Sequence, residues 1–261
     1  MSDDESYIDN SIFDEPEDFR PSKPQPKDLT FKRTNGETVN IRLIGESPLY
    51  GHILTHAGQY IANYLDEHSA GLIENKTVLE VGAGGALPSI ICGLNKASRV
   101  VSTDYPDPEL ISNIQYNIEN NGSCIKNSVS KGYIWGNDTE ELVDELAVVD
   151  KKSFDLIILS DVIFNHTEQD KLLKTCKNLI TPLTEINDKK SGGKVLVIFS
   201  PHRPHLLDDD LDFFRKAEED YSFDVEFIEM QMWSPLFKND TDESTREIRS
   251  RVYSYVLYPT W

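Results

Sequence analysis

Positive charge is scarce in this sequence. Its 261 residues hold 26 Lys plus Arg against 45 Asp plus Glu, a formal charge of -19. That balance opposes attraction to a phosphate backbone and removes nucleic acid as an expected partner. An acidic surface steers cationic ligands and basic protein surfaces instead, although many proteins carry such charge for solubility alone. Cysteine is also rare: Cys92, Cys124 and Cys176 are an odd, scattered three with no C-x-x-C pair. This excludes a disulfide framework and a zinc ribbon, and it fits a reducing compartment. No stretch approaches the roughly 20 apolar residues that a membrane-spanning helix needs. The start, "MSDDESYIDNSIFDEPEDF", lacks the basic and apolar regions of a secretion signal. A soluble, cytoplasmic monomer without a membrane partner is expected, and no internal repeat or second folded domain is visible.

What is present begins with an acidic, proline-bearing arm over residues 1–30, poor in aliphatic residues and without sustained period. Phe13 and Phe19 sit among its charges. The folded domain then runs over residues 31–261. It opens with short alternating strands at 29–33 and 37–43 around the turn residues Asn35 and Gly36. Residues 51–69 space Ile53, Leu54, Ala57, Tyr60, Ile61, Tyr64 and Leu65 as one helical face. From there strands and helices alternate. "KTVLEVGA", "RVVSTDY", "KGYIWG", "FDLIILSDVIF" and "GKVLVIFS" read as strands, and the segments at 87–97, 108–121, 139–149, 168–183 and 211–221 as helices. Such repetition predicts an α/β fold with a doubly wound parallel sheet. The final stretches, "FDVEFIEMQMW" and "REIRSRVYSYVLYPTW", break the rhythm and read as an antiparallel pair at one edge.

A glycine-rich turn follows the first apolar strand in "TVLEVGAGGALPS". A dinucleotide fingerprint needs three glycines as G-x-G-x-x-G. Here Gly82, Gly84 and Gly85 are followed by Leu87, and Glu80 sets a negative charge where a diphosphate would lie. That pattern disfavours a nicotinamide dinucleotide and suits a ligand with cationic ammonium and sulfonium groups, such as S-adenosylmethionine. Glu80 is the candidate for its methionine end. Asp104 closes the next strand about 20 residues after the glycines, where a carboxylate accepts hydrogen bonds from ribose hydroxyls. The strand "DLIILS" ends on Ser160 and Asp161, followed by Phe164 and Asn165. It would neighbour the glycine strand at the switch point of a doubly wound sheet. Asp161 there either caps a helix or faces a methyl acceptor.

With these residues in place the chain resembles the class I, seven-strand S-adenosylmethionine-dependent methyltransferases, whose first motif is similar to "VLEVGAGGALPS". The resemblance covers residues 43–261 and implies a Rossmann-like seven-strand sheet with an antiparallel final hairpin. It would set Trp135, in "YIWG", beside the adenine. The D-x-x-F of Asp161 and Phe164 is similar to the D-x-x-Y motif of the lysine-methylating branch. Three separated segments, "EPEDFRP", "GESPLYGHILTHAG" and "SDVIFNHTEQDKLL", resemble a narrower fungal family that methylates the amino terminus and adjacent lysine of elongation factor 1-alpha. Its members were earlier labelled nicotinamide N-methyltransferases. The resemblance implies S-adenosylmethionine bound by Thr55, Gly82, Ala83, Gly84, Asp104, Trp135 and Ser160, with a protein acceptor beside Asp161 and Phe164. Relatives tend to carry tryptophan where this chain has Thr55. A nicotinamide-like small-molecule acceptor and a non-catalytic binding protein of the same fold are the alternatives.

Other groups read as less informative. His52 and His56 are spaced i, i+4, but no acidic or cysteine ligand accompanies them locally, so they read as surface or capping residues rather than metal ligands. "SPHRPH" brings His202, Arg203 and His205 to the ligand edge of the sheet, either lining an acceptor channel or as an ordinary polar loop. Trp233 and Phe237 are equally suited to acceptor walls or core.

Overall fold

The computed structural model describes residues 24–47, 50–122, 126–236 and 242–261. An antiparallel hairpin of β1 (Lys27–Lys32) and β2 (Thr38–Leu43) leads the described chain. β1 takes in residues 27–30, which composition assigns to the arm, because ladder pairing from Lys27↔Leu43 onward supplies backbone bonds that charged side chains do not preclude. Phe13 and Phe19 lie outside the described residues.

After the hairpin come α1 (His56–Glu67), α2 (Ser69–Leu72), β3 (Thr77–Val81), α3 (Leu87–Leu94), β4 (Arg99–Asp104), α4 (Pro108–Glu119), β5 (Ser128–Gly132) and α5 (Glu140–Asp144). Then follow β6 (Leu156–Ser160), α6 (Gln169–Leu179), β7 (Lys194–Phe199), α7 (Leu207–Glu219), β8 (Phe223–Met232), α8 (Arg246–Arg249) and β9 (Arg251–Pro259). Seven strands form one sheet in the order β5-β4-β3-β6-β7-β9-β8, parallel through β7, with β9 antiparallel to both of its neighbours. The Rossmann-like doubly wound sheet with an antiparallel final hairpin is therefore present. The chain winds outward from β3 through β4 to β5, then returns to β6 on the other side of β3. The crevice at the carboxyl ends of β3 and β6 is the switch point.

Several elements are shorter than the apolar runs suggest, each for a local reason. The helical pattern over 51–69 starts as a helix only at His56, because Thr55 Oγ1 accepts from the Gly58 amide at 3.0 Å and caps the first turn. The strand read from "KGYIWG" ends at Gly132, whose last partner is Asp104. Tyr133 then turns inward and its hydroxyl meets Thr175 Oγ1 at 3.1 Å. The run at 154–164 stops at Ser160, since Asp161 takes φ 57°, a left-handed value that ends a strand. The first residues of "REIRSRVYSYVLYPTW" form the single turn α8 before β9 begins.

The strands alternate between two cores. Val78, Val100, Leu156, Ile158 and Ile198 pack with α1, α3, α4 and the hairpin. Leu79, Val81, Ile157, Leu159 and Val197 pack with α5, α6 and α7. The hairpin is fastened to the first layer by side-chain amides that substitute for a strand. Asn117 Oδ1 accepts from the Arg42 amide at 2.8 Å and its Nδ2 donates to the Arg42 carbonyl, also at 2.8 Å. Asn121 repeats the exchange with Asn40 at 3.1 and 2.7 Å. At the other end of the hairpin, Arg33 reaches α1 and donates to Asp66 Oδ1 at 2.6 Å. No helix among the described residues is long and apolar enough to cross a membrane.

Candidate active site

The two-residue period of the strands decides which side chains reach the switch point. On β3, Val78 faces the α1 and α3 layer, so Glu80 faces it too. Its side chain runs under the start of α3, where Oε2 accepts from the Ser89 amide at 3.0 Å and from Ser89 Oγ at 2.5 Å. The helix needs this partner. Its N-cap, Ala86, sits at φ 59° and offers no side-chain acceptor, so a carboxylate from the strand satisfies the first-turn amide. Burial pushes the Glu80 carboxyl up to about 8, against the pull of the Ser89 bonds. A group raised in the folded state contributes stability that is fully present below its unfolded value and is lost as pH rises through the folded one. Glu80→Gln is therefore expected to remove a decline in stability between about pH 4.5 and about pH 8, widening its melting-temperature advantage over the parent as pH rises. Parallel thermal melts across that range check it, and an unchanged gap would refute it.

The glycine turn lets backbone approach backbone and ligand. Gly82 has φ 76°, and a Cβ there would lie 2.5 Å from Val162 Cγ1, so a side chain would clash with the loop that follows β6. Gly85 has another purpose: a Cβ would meet Leu43 and Ile41 at 2.7 and 2.9 Å, so this glycine admits the hairpin against α3. The Gly84 amide donates to Asp104 Oδ2 at 2.7 Å, and the Tyr105 amide to Oδ1 at 2.7 Å. Burial raises Asp104 above the ordinary carboxyl range in spite of these two bonds. With two of its roughly four acceptor positions used, Asp104 keeps capacity for ligand hydroxyls.

At the end of β6, Ser160 lies on the α1 side, and Asp161 turns through its left-handed φ toward the end of β7. Asp161 Oδ1 accepts from the Ser200 amide at 3.0 Å, and Oδ2 meets His202 Nε2 at 2.9 Å. Although burial pulls it down, the Asp161 carboxylate holds the His202 imidazole above its ordinary value. Of the three basic residues in "SPHRPH", His202 alone reaches Asp161. Arg203 donates to the Phe164 carbonyl at 2.7 Å, and His205 is exposed. Phe164 meets Tyr50 edge to face, with ring centroids 5.7 Å apart, and Tyr50 is half exposed.

All ten residues singled out from the sequence line one cavity of about 400 Å³: Thr55, Glu80, Gly82, Ala83, Gly84, Asp104, Trp135, Ser160, Asp161 and Phe164. Trp135 reaches it from the loop beyond β5, not from a strand, with Cζ2 3.7 Å from where a Gly82 Cβ would stand. The donor set fits S-adenosylmethionine. Acidic groups at the ends of β3 and β4 suit ammonium and hydroxyls, a ring face suits a base, and the glycines open the floor to a close approach. Sequence reasoning missed Tyr50, Tyr105 and Ile134 on the rim; all three line it from loops, Tyr105 and Ile134 just past the ends of β4 and β5.

His52 and His56 do not pair as helix-face ligands. His52 precedes the helix and its Nδ1 accepts from the Ser47 amide at 3.2 Å. His56 packs on Trp233, ring centroids 5.2 Å apart, close enough to Asp161 and His202 for both charges to act on it. No group of three or more His, Cys, Asp or Glu able to hold a metal occurs among the described residues. Phe237 lies outside them.

A family model described as lysine methyltransferase matches residues 44–219. The protein N-terminal and lysine N-methyltransferase EFM7 of Debaryomyces hansenii is 50% identical over 267 residues, covering 100% of both chains. Its counterpart of the same name in Candida albicans is 46% identical over 272 residues, again 100% of each. A solved Streptococcus mutans protein, described as a SAM-dependent methyltransferase, aligns with a TM-score of 0.56 at 14% identity, covering 90% of this chain and 56% of that one, a likeness of fold alone. S-adenosylmethionine is the methyl donor of this fold and family. Full-length similarity, the matching family model and a cavity whose donor set fits that cofactor agree: the chain belongs to the lysine methyltransferase family and, within it, to the protein N-terminal and lysine N-methyltransferases.

Proposed function

We propose that this chain methylates the amino terminus and the adjacent lysine of elongation factor 1-alpha, acting as a cytoplasmic monomer. The observation that carries the reading is the convergence of the ten residues in one cavity, where Asp161 and the Tyr50–Phe164 wall stand beside the glycine turn. The two full-length relatives bear names that state protein N-terminal and lysine methylation. The formal charge of -19 suits a basic partner.

In this reading Glu80 serves the methionine end, Gly82, Ala83 and Gly84 the backbone approach, Asp104 the ribose and Trp135 the adenine. Thr55 and Ser160 close the α1 side. The sulfonium supplies an electrophilic methyl group, which an amine takes by in-line displacement. Asp161 orients the acceptor by receiving an N–H, and Phe164 and Tyr50 provide an apolar wall that keeps water away. The acceptor must arrive as the free base. An α-amino group with a pKa near 8 loses its proton more readily than a lysine near 10.4, so the terminus is expected to be methylated before the lysine at neutral pH.

The test is transfer of labelled methyl to elongation factor 1-alpha purified from cells that lack this protein, with the label located by mass spectrometry. Label on the terminal amine first and the neighbouring lysine second is the expected result. Absence of label on that factor, with S-adenosylmethionine still bound, would overturn the acceptor assignment and direct the search to small amines such as nicotinamide.

A further inference from the structure

His202 has no role in the cofactor site or in the D-x-x-F motif, yet it is built into the same corner. It stands 41 residues from Asp161 in sequence, and the two meet because β6 and β7 are neighbours in the sheet. Side-chain exposure is 18% for His202 and 5% for Asp161, so the pair is shielded from solvent on most sides. Its bond and that of the Ser200 amide occupy two of the roughly four acceptor positions of the carboxylate. The others remain for a ligand where Asp161 lines the cavity.

A bare carboxylate would work against the chemistry. Placed beside an incoming amine it favours the ammonium form, which has no lone pair with which to attack. An imidazolium bonded to the carboxylate cancels that charge while leaving acceptor positions to orient an N–H. The surroundings support this charge state. Burial pulls His202 down, and Arg203 opposes its charge, but Asp161 and, from α7, Asp210 push it up by more. Asp210 is itself bonded to His166 at 2.7 Å. On the α1 side, burial holds His56 below its ordinary value despite the pull of Asp161, so it adds no second positive charge.

We propose that His202 is a positioning residue for the acceptor amine: acting through Asp161, it fixes the carboxylate and neutralises it, so that the amine is held as the uncharged nucleophile. The inference rests on the amine-methylating reading above. The ammonium proton leaves to water before transfer; the N–C bond then forms as the S–C bond breaks, and sulfur keeps the electron pair.

The experiment compares the parent protein, His202→Gln and Asp161→Asn, each saturated with S-adenosylmethionine, on an acceptor peptide across pH. His202→Gln retains a hydrogen-bond donor but no charge. The acidic limb of its kcat profile is expected to move up by about one pH unit, which is about a tenfold lower kcat at pH 7. Its acceptor KM should be unchanged or lower, and cofactor affinity and melting temperature should stay near the parent values. An unshifted limb overturns the inference, and so does a pH-independent loss accompanied by weaker cofactor binding, which marks a purely structural role. Histidine ring nitrogen shifts in the S-adenosylhomocysteine complex give a readout that needs no acceptor. His202 should stay charged at pH 7 in the parent and become neutral there in Asp161→Asn, whereas a parent His202 that is neutral at pH 7 overturns the pairing. If the parent methylates no amine, the functional reading fails by itself, and the ring titration still decides the pair.

Discussion

Asp161→Ala is expected to lower methyl transfer by about a hundredfold or more while S-adenosylmethionine stays bound. The cofactor-side groups, Gly82, Gly84, Asp104 and Trp135, come from the turn after β3, the end of β4 and the loop after β5, and none is hydrogen-bonded to Asp161. What the substitution removes is the acceptor-side carboxylate. With it go the partner of His202 Nε2 and of the buried Ser200 amide. Misplacing a reacting group by about 1 Å is enough to cost on the order of a hundredfold, and here the orienting group is absent. Alanine also pays in the backbone, because φ at this position is 57° and a left-handed conformation disfavours an ordinary side chain by about 1–2 kcal/mol. Asp161→Asn separates the two effects. Asparagine tolerates that conformation and still accepts from Ser200, so it should melt near the parent and yet transfer methyl slowly. Single-turnover rates with saturating cofactor, alongside calorimetric binding of S-adenosylmethionine, decide the matter. A variant with the parent's rate would remove Asp161 from the acceptor site.

Asp66→Ala is expected to cost about 3–5 kcal/mol of stability, a fall in melting temperature on the order of 10 °C, with little change in activity of the folded protein at low temperature. Asp66 is the meeting point of the hairpin, α1 and the end of α3. It accepts from Arg33 Nη2 at 2.6 Å, Thr34 Oγ1 at 2.7 Å, the Thr34 amide at 3.1 Å and Asn95 Nδ2 at 2.8 Å. Side-chain exposures of 6% for Arg33 and 3% for Asp66 leave the guanidinium without solvent once the carboxylate is gone. The guanidinium would keep Glu37 Oε2 at 2.7 Å, but that carboxylate is 67% exposed, so the buried share of its compensation goes with Asp66, and losing it costs more than the net worth of the pair itself. Burial pushes the Asp66 carboxyl up, but the bonds from Arg33, Asn95 and Thr34 outweigh it and hold the group below its ordinary value. Its contribution is therefore present above the unfolded carboxyl pKa and lost as pH falls through the lower folded one. The parent should lose this stability in acid while Asp66→Ala, lacking it already, shows a flatter acid limb. Urea denaturation at pH 7 and below pH 4 measures both. A change below 1 kcal/mol at pH 7 would show that the hairpin is fastened chiefly by the Asn117 and Asn121 exchanges with β2.

Much of the cavity was legible because its cofactor side is assembled from strand ends. Glu80, Asp104 and Ser160 each stand at or beside the last residue of an apolar run, and a parallel sheet carries all such ends to one edge. The glycines signalled a close approach, though not that Gly85 opens toward Leu43 and Ile41 instead of a ligand. Glu80 was legible as a charge near the ligand but not as the partner of Ser89, because a strand residue and a helix start nine positions later meet only after the turn between them has formed. Tyr105 and Ile134 fall within runs read as strands, but β4 ends at Asp104 and β5 at Gly132, so past those points the strand period no longer tells which way a side chain faces; Tyr50 stands in a connecting segment with no period at all. His52 and His56 appeared as an i, i+4 pair on one helix, and the cap at Thr55, later than the apolar pattern starts, left His52 outside that helix.

The sequence by itself determined the strand and helix order, the glycine turn, the acidic strand ends and the absence of a long apolar span. These are written in windows of a few residues, through side-chain period, caps and turn chemistry. Only the tertiary structure decided that His202 holds Asp161, that Asp66 closes the hairpin on α1 and that Trp135 enters the cavity from a loop. Each of those contacts joins residues brought together by strand order and by the burial of charge. The free energy of a buried ion pair depends on which groups lose their water together, and that is a property of the packed chain, with no trace in the spacing of letters.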